Sequence, residues 1–90
     1  MTRVVITGMG WITPLGNDID TVWKKMVASE SGIGKIDRFD ASSFPTKISG
    51  QVRNFDWTQY VNDPSKHGYP AMNSQFALGA AKQAWKQAGL

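Results

Sequence analysis

The sequence contains no cysteine, a single histidine, and no apolar run near the ~20 residues that a membrane-spanning helix requires. Each absence closes a class of function. Without a thiol, the 90 residues hold no disulfide, no thiolate metal site and no cysteine nucleophile. Residues 1–10 lack the charged start and long apolar stretch of a secretory signal, so a soluble, reducing, cytoplasmic setting is the expectation. Acid is missing from residues 64–90, which carry Lys66, Lys82 and Lys86 and no carboxylate side chain, whereas the charges of residues 1–63 balance. The net charge of +3 is therefore local, and three lysines are too few for a nucleic-acid footprint. A solvated helix face is the simpler reading.

What is present suits a globular chain. Hydrophobic residues make up 41% and charged residues 19%, which argues against disorder. A chain of this size buries only ~60–65% of its unfolded surface, so one modest core is the ceiling.

Arg3-Val4-Val5-Ile6-Thr7 is a β-branched run whose continuous apolarity predicts a strand buried on both faces, like a central parallel strand. Gly8-Met9-Gly10 ends it, and Pro14 and Gly16 punctuate a loop. Asn17 and Asp18 are N-cap candidates for a helix in which Ile19, Val22, Trp23, Met26 and Val27 recur at helical spacing, with Lys24 and Lys25 opposite. Ser31-Gly32 is its expected stop. A short extended piece is expected around Ile33–Ile36, a single helical turn at Asp40–Ser43, and a strand from Thr46 to Val52 interrupted by Gly50. Asp56–Val61 reads as a capped short helix, and Asn62–Tyr69 as a connector. From about Pro70 to Ala88, Met72, Phe76, Ala80, Ala84 and Ala88 form one i,i+4 stripe, rich enough in alanine for close approach. Gly89 is the stop signal. Trp23 and Trp85 occupy core-compatible helical positions, while Trp11 and Trp57 are expected to be partly exposed.

Two short strands and two good helices do not close a parallel α/β sheet, because the first strand needs neighbours on both edges and cover on both faces. The 90 residues therefore read as the N-terminal part of something larger.

No motif for chemistry stands out. Val-Val-Ile-Thr-Gly-Met-Gly runs a strand into glycines, but Thr13 and Pro14 stand where a dinucleotide fingerprint needs its third glycine and helix start. Tight turns and close backbone packing account for Gly8 and Gly10. His67 sits in a loop far from any activated nucleophile, no serine lies in a Gly-x-Ser-x-Gly elbow, and metal-ligand spacing is absent.

End to end, the sequence resembles the N-terminus of the elongating β-ketoacyl-[acyl-carrier-protein] synthases. The resemblance runs through Arg3–Gly10, Thr13-Pro14-Leu15-Gly16-Asn17, Ser31-Gly32-Ile33-Gly34, Arg38-Phe39-Asp40-Ala41-Ser42 and Phe44–Gly50. Gln75–Ala84 and Ala88-Gly89-Leu90 complete it. It implies an α/β, thiolase-like fold of five layers, α-β-α-β-α, of which residues 1–90 form the N-terminal part of the first half. It also implies a ping-pong condensation. An acyl group passes from the phosphopantetheine of acyl carrier protein to a cysteine, malonyl carrier protein decarboxylates, and the carbanion attacks the thioester.

In that family the cysteine and two histidines lie downstream of residue 90, so no catalytic, cofactor-binding or metal role falls on any residue here. No bound cofactor, nucleic acid or membrane is implied, and the parent would be a cytoplasmic homodimer. The sequence departs from the family just before the last helix, where Lys66-His67-Gly68-Tyr69-Pro70-Ala71-Met72-Asn73 replaces several basic residues and an Arg-Met-Asp-like start. Lys66 is the remaining candidate contact for the acidic carrier protein. Two alternatives stay open at this point: a small independent interaction domain using its basic helix, and the opening of a dinucleotide-binding oxidoreductase.

Overall fold

The computed structural model of the protein describes residues 2–66 and 68–90, so His67 lies outside the described residues. In chain order the elements are helix α1 (Ile19–Val27), strands β1 (Ile33–Lys35) and β2 (Ile48–Gly50), two 3₁₀ turns (Trp57–Tyr60 and Pro64–Lys66) and helix α2 (Met72–Ala88).

α1 begins where its cap dictates. Asp18 has extended backbone, its Oδ1 accepts from the Thr21 N–H at 2.8 Å, and its Oδ2 accepts from the Thr21 hydroxyl at 2.9 Å. Those two hydrogen bonds, the backbone one first, hold the Asp18 carboxyl below its ordinary value. Because the folded-state value is lowered, the stabilisation is full above the unfolded pKa and disappears as pH falls through the folded one. Asp18→Ala is thus expected to cost about 1 kcal/mol at neutral pH. The gap between variant and parent should close below about pH 4, as measured by urea unfolding across pH.

The end of α1 corrects the expected stop at Ser31-Gly32. The helix finishes at Val27, and Ser29 adopts φ 60°. Ser29 N–H donates to the Met26 carbonyl at 3.0 Å and Glu30 N–H to the Lys25 carbonyl at 2.9 Å, which is a Schellman closure. α2 ends the same way, with Gly89 at φ 78° and the N–H groups of Gly89 and Leu90 on the carbonyls of Lys86 and Trp85. One motif uses glycine and the other a serine, whose Cβ crowds the left-handed conformation. Ser29→Gly is expected to stabilise the protein by about 1 kcal/mol, readable as a rise in Tm.

The only sheet among the described residues is antiparallel, pairing Ile33 with Gly50, Gly34 with Ser49 and Lys35 with Ile48. Just past β2, the buried Gln51 amide ties down the chain leaving β1. Its Oε1 accepts from the N–H groups of Asp37 (3.4 Å) and Arg38 (3.3 Å), and its Nε2 donates to the Lys35 carbonyl at 3.2 Å. The helical turn expected at Asp40–Ser43 is a plain turn instead, because the Asp40 carboxylate takes the Ser42 N–H and Phe44 N–H reaches back only to Ala41. The short helix expected at Asp56–Val61 is a 3₁₀ turn capped by Asp56 on the Thr58 N–H.

The expected first strand is the main correction. Arg3–Thr7 joins no ladder, and Val4, Val5 and Ile6 are 92%, 63% and 88% exposed. A strand is defined by the neighbour that takes its N–H and C=O groups, and no described segment offers one. Three tryptophans are also reassigned: Trp57 is buried and Trp23 and Trp85 are exposed, while Trp11 is half-buried as expected. In α1 the buried residue is Val22, flanked by half-buried Ile19 and Lys25, so the expected stripe through Trp23 and Val27 faces outward.

Among the described residues the buried apolar ones are Val22, Ala41 and Trp57. A second apolar cluster gathers on α2, where Phe55 stacks on Tyr60 (5.4 Å) and meets Phe76 edge-on (5.4 Å). The radius of gyration is 16.1 Å, against about 12 Å for a compact domain of this length. The accessible surface is 7026 Å², against about 5,200 Å² for a folded monomer of this mass.

Candidate functional site

The expected alanine stripe of α2 does what its composition suggests. A Cβ on Gly8 would overlap the Ala84 carbonyl oxygen and lie 2.9 Å from the Ala88 nitrogen. One on Gly10 would overlap the Ala80 oxygen and lie 2.7 Å from the Gln83 Cβ. Neither glycine adopts positive φ, so close approach, not a turn, is what demands glycine at both. Met9 N–H donates to Gln87 Oε1 at 2.8 Å and Trp11 N–H to Gln83 Oε1 at 3.2 Å.

Two residues of extended chain advance about 6.6 Å and four helical residues about 6 Å, so the two repeats keep step. This geometry removes the dinucleotide reading. Gly8 and Gly10, which would line a pyrophosphate cradle, pack against helix carbonyls, and the Met9 and Trp11 amides beside them are already engaged by glutamines.

The carboxylates serve local structure. Asp18 and Asp56 cap, Asp40 holds a turn, and Asp37 pairs with Arg53. Hydrogen bonds from Thr58 to Asp56 and from Ser42 to Asp40 hold both carboxyls below their ordinary values, as at Asp18. A general acid or base works best with a pKa near the working pH, and these three groups move away from it. Among the described residues no three His, Cys, Asp or Glu side chains converge to hold a metal ion.

Lys66 ends the second 3₁₀ turn, with its side chain 78% exposed. Its Nζ is 3.7 Å from Asp63 Oδ2, a pairing three residues back that the sequence reading did not draw. An exposed pair of this kind contributes about 0–1 kcal/mol and leaves the ammonium free to exchange partners. On the outer side of α2, Tyr60, Leu78, Ala81, Lys82 and Trp85 line an open apolar cleft of about 290 Å³. Sequence reasoning also missed Gln51, Gln83 and Gln87, because an amide side chain carries no pattern until its partners are placed.

The whole chain, residues 1–90, matches the family model described as beta-ketoacyl synthase, N-terminal domain. The protein belongs to that family of condensing-enzyme domains, as its resemblance implied. It is 47% identical over 88 residues to the 3-oxoacyl-[acyl-carrier-protein] synthase 2 of Coxiella burnetii, covering 98% of this chain and 21% of that protein. It is 43% identical to the chloroplastic 3-oxoacyl-[acyl-carrier-protein] synthase I of Hordeum vulgare, covering 98% and 19%.

Among solved structures, the ishigamide ketosynthase/chain length factor superposes with a TM-score of 0.77 at 26% identity, over 96% of this chain and 21% of that one. The fold is therefore the N-terminal portion of the ketosynthase, thiolase-like α/β fold. The chain spans about a fifth of the length of the relatives it matches.

Proposed function

We propose that these 90 residues are the opening segment of a 3-oxoacyl-[acyl-carrier-protein] synthase, supplying scaffold rather than reacting groups. The observation that carries this reading is the 47% identity to such a synthase over nearly the entire chain. The open form supports it: the surface exceeds that of a compact monomer, and the β-branched run Val4–Ile6 stands uncovered. Those features also weigh against a self-standing interaction domain.

In the proposed reaction an acyl thioester on carrier-protein phosphopantetheine is attacked by a cysteine thiolate, and the pantetheine thiol leaves. Malonyl carrier protein then loses CO₂. The resulting carbanion attacks the acyl-cysteine carbonyl and expels the thiolate, forming a new carbon–carbon bond and a 3-oxoacyl thioester. With no cysteine in its sequence, this segment does not provide the nucleophile. A homodimeric parent and a cytoplasmic setting belong to the same proposal. No described helix is long and apolar enough to cross a membrane.

The test is a chimera in which these residues replace the matching segment of the Coxiella burnetii synthase. Malonyl-carrier-protein-dependent condensation should persist within about tenfold of the parent, since the exchange leaves the reacting groups in place. A folded, dimeric but inactive chimera would refute the assignment. Lys66→Glu in that chimera should raise the KM for carrier protein several-fold at low salt with kcat held, as for a rim charge that steers an acidic partner. An unchanged KM removes Lys66 as a docking contact.

A further inference from the structure

We propose that Gln83 and Gln87 form a latch that holds the Gly8–Trp11 segment on α2. The latch does not rest on the condensing-enzyme reading. Among the described residues, the hydrogen bonds made by residues 2–12 are two, from Met9 N–H to Gln87 and from Trp11 N–H to Gln83. Everything else that seats this segment is shape.

The glycines and the glutamines divide the work. A slip of one residue would drive the side chains of Thr7 and Met9, or of Met9 and Trp11, into the α2 backbone where Gly8 and Gly10 now lie. A slip of two would place Ile6 or Ile12 at one of those positions. Steric exclusion thus leaves one register, but exclusion does not attract, and the attraction comes from two amide carbonyls one helical turn apart. A glutamine also serves both roles at once. While Gln83 Oε1 accepts from Trp11, its Nε2 donates to the Asn17 carbonyl at 2.5 Å, so one side chain brackets the loop that leads into α1. Gln87 lies in the last turn of α2, where a neutral acceptor avoids setting a carboxylate against the negative helix end.

Amide exchange by NMR on the 90-residue protein tests the latch. Gln87→Leu should speed exchange at Met9 about tenfold, the factor one net hydrogen bond represents, and leave Trp11 unchanged. Gln83→Leu should do the reverse and also weaken the contact between Gly10 and Ala80. The double variant should lose both protections and both glycine contacts while α2 keeps its helical circular dichroism. Retained Gly8–Ala84 and Gly10–Ala80 contacts in the double variant would overturn the proposal, as would unprotected Met9 and Trp11 amides in the parent.

Should the double variant unfold, the single variants decide: a Met9 amide still protected in Gln87→Leu, or a Trp11 amide still protected in Gln83→Leu, overturns it too. Failure of the chimera would leave these amides untouched, so the two readings fail separately.

Discussion

Gly10→Val is expected to lower stability by about 3 kcal/mol or more, a fall in Tm of ~15 °C for a domain of this size. The obstruction is backbone. A first side-chain carbon at residue 10 overlaps the Ala80 carbonyl oxygen and stands 2.9 Å from its carbon, and neither atom has a rotamer to change. Relief requires lifting the segment off α2, which also breaks the Trp11 hydrogen bond to Gln83. Gly34→Ala is the matched control, since a Cβ there meets only the Arg53 Nη2 at 3.5 Å, ordinary contact with the end of a flexible side chain. Differential scanning calorimetry of the two variants decides the point. Equal melting temperatures would mean that Gly10 does not rest on the helix.

The same residue shows what a sequence can and cannot reveal. Gly8 and Gly10 after a β-branched run announce close backbone packing, and the alanine stripe of α2 announces a surface able to receive it. That the two meet follows from composition. That two glutamines fasten them does not, because the role of an amide is set by a partner distant in sequence. Caps were legible for the opposite reason: Asp18, Asp56 and Gly89 act on residues one to four positions away. Periodicity located apolar faces but not their cover. Trp23 and Trp85 lie on helices as expected and yet remain exposed, while Trp57, on a single turn, is buried. A moment along a helix identifies the face that seeks burial, and what meets it is a tertiary fact.

The Val4–Ile6 run makes the same distinction at the level of function. Its sequence specifies a strand buried on both faces, and among the described residues it joins no ladder and stands exposed. The exposed run is thus a demand for pairing that local physics states and the described residues do not meet. A relative about five times longer, 47% identical over 88 residues of this chain, is where such a demand would be satisfied.

Phe55→Ala is expected to cost about 3 kcal/mol, the lower end for a large aromatic because its ring is only half-buried. The ring joins two elements. It stacks on Tyr60 of the first 3₁₀ turn, meets Phe76 of α2 edge-on, and covers Gly79, where a Cβ would lie 2.8 Å from its Cε2 and Cζ. Ile12 closes the other side of that glycine, with its Cδ1 3.2 Å from the same point. The ring and the glycine are therefore one device, and a double-mutant cycle reads it. Gly79→Ala alone gains about 1 kcal/mol of helix propensity but drives a methyl into the ring, so the net change should be unfavourable. In the Phe55→Ala background the ring is gone and only the movable end of Ile12 remains near that point, so the same substitution should stabilise. A reversal of sign between the two backgrounds, read from urea midpoints at constant m, is the expected result. Gly79→Ala stabilising the parent as well would mean that the ring yields freely, and that Phe55 does not anchor the turn to α2.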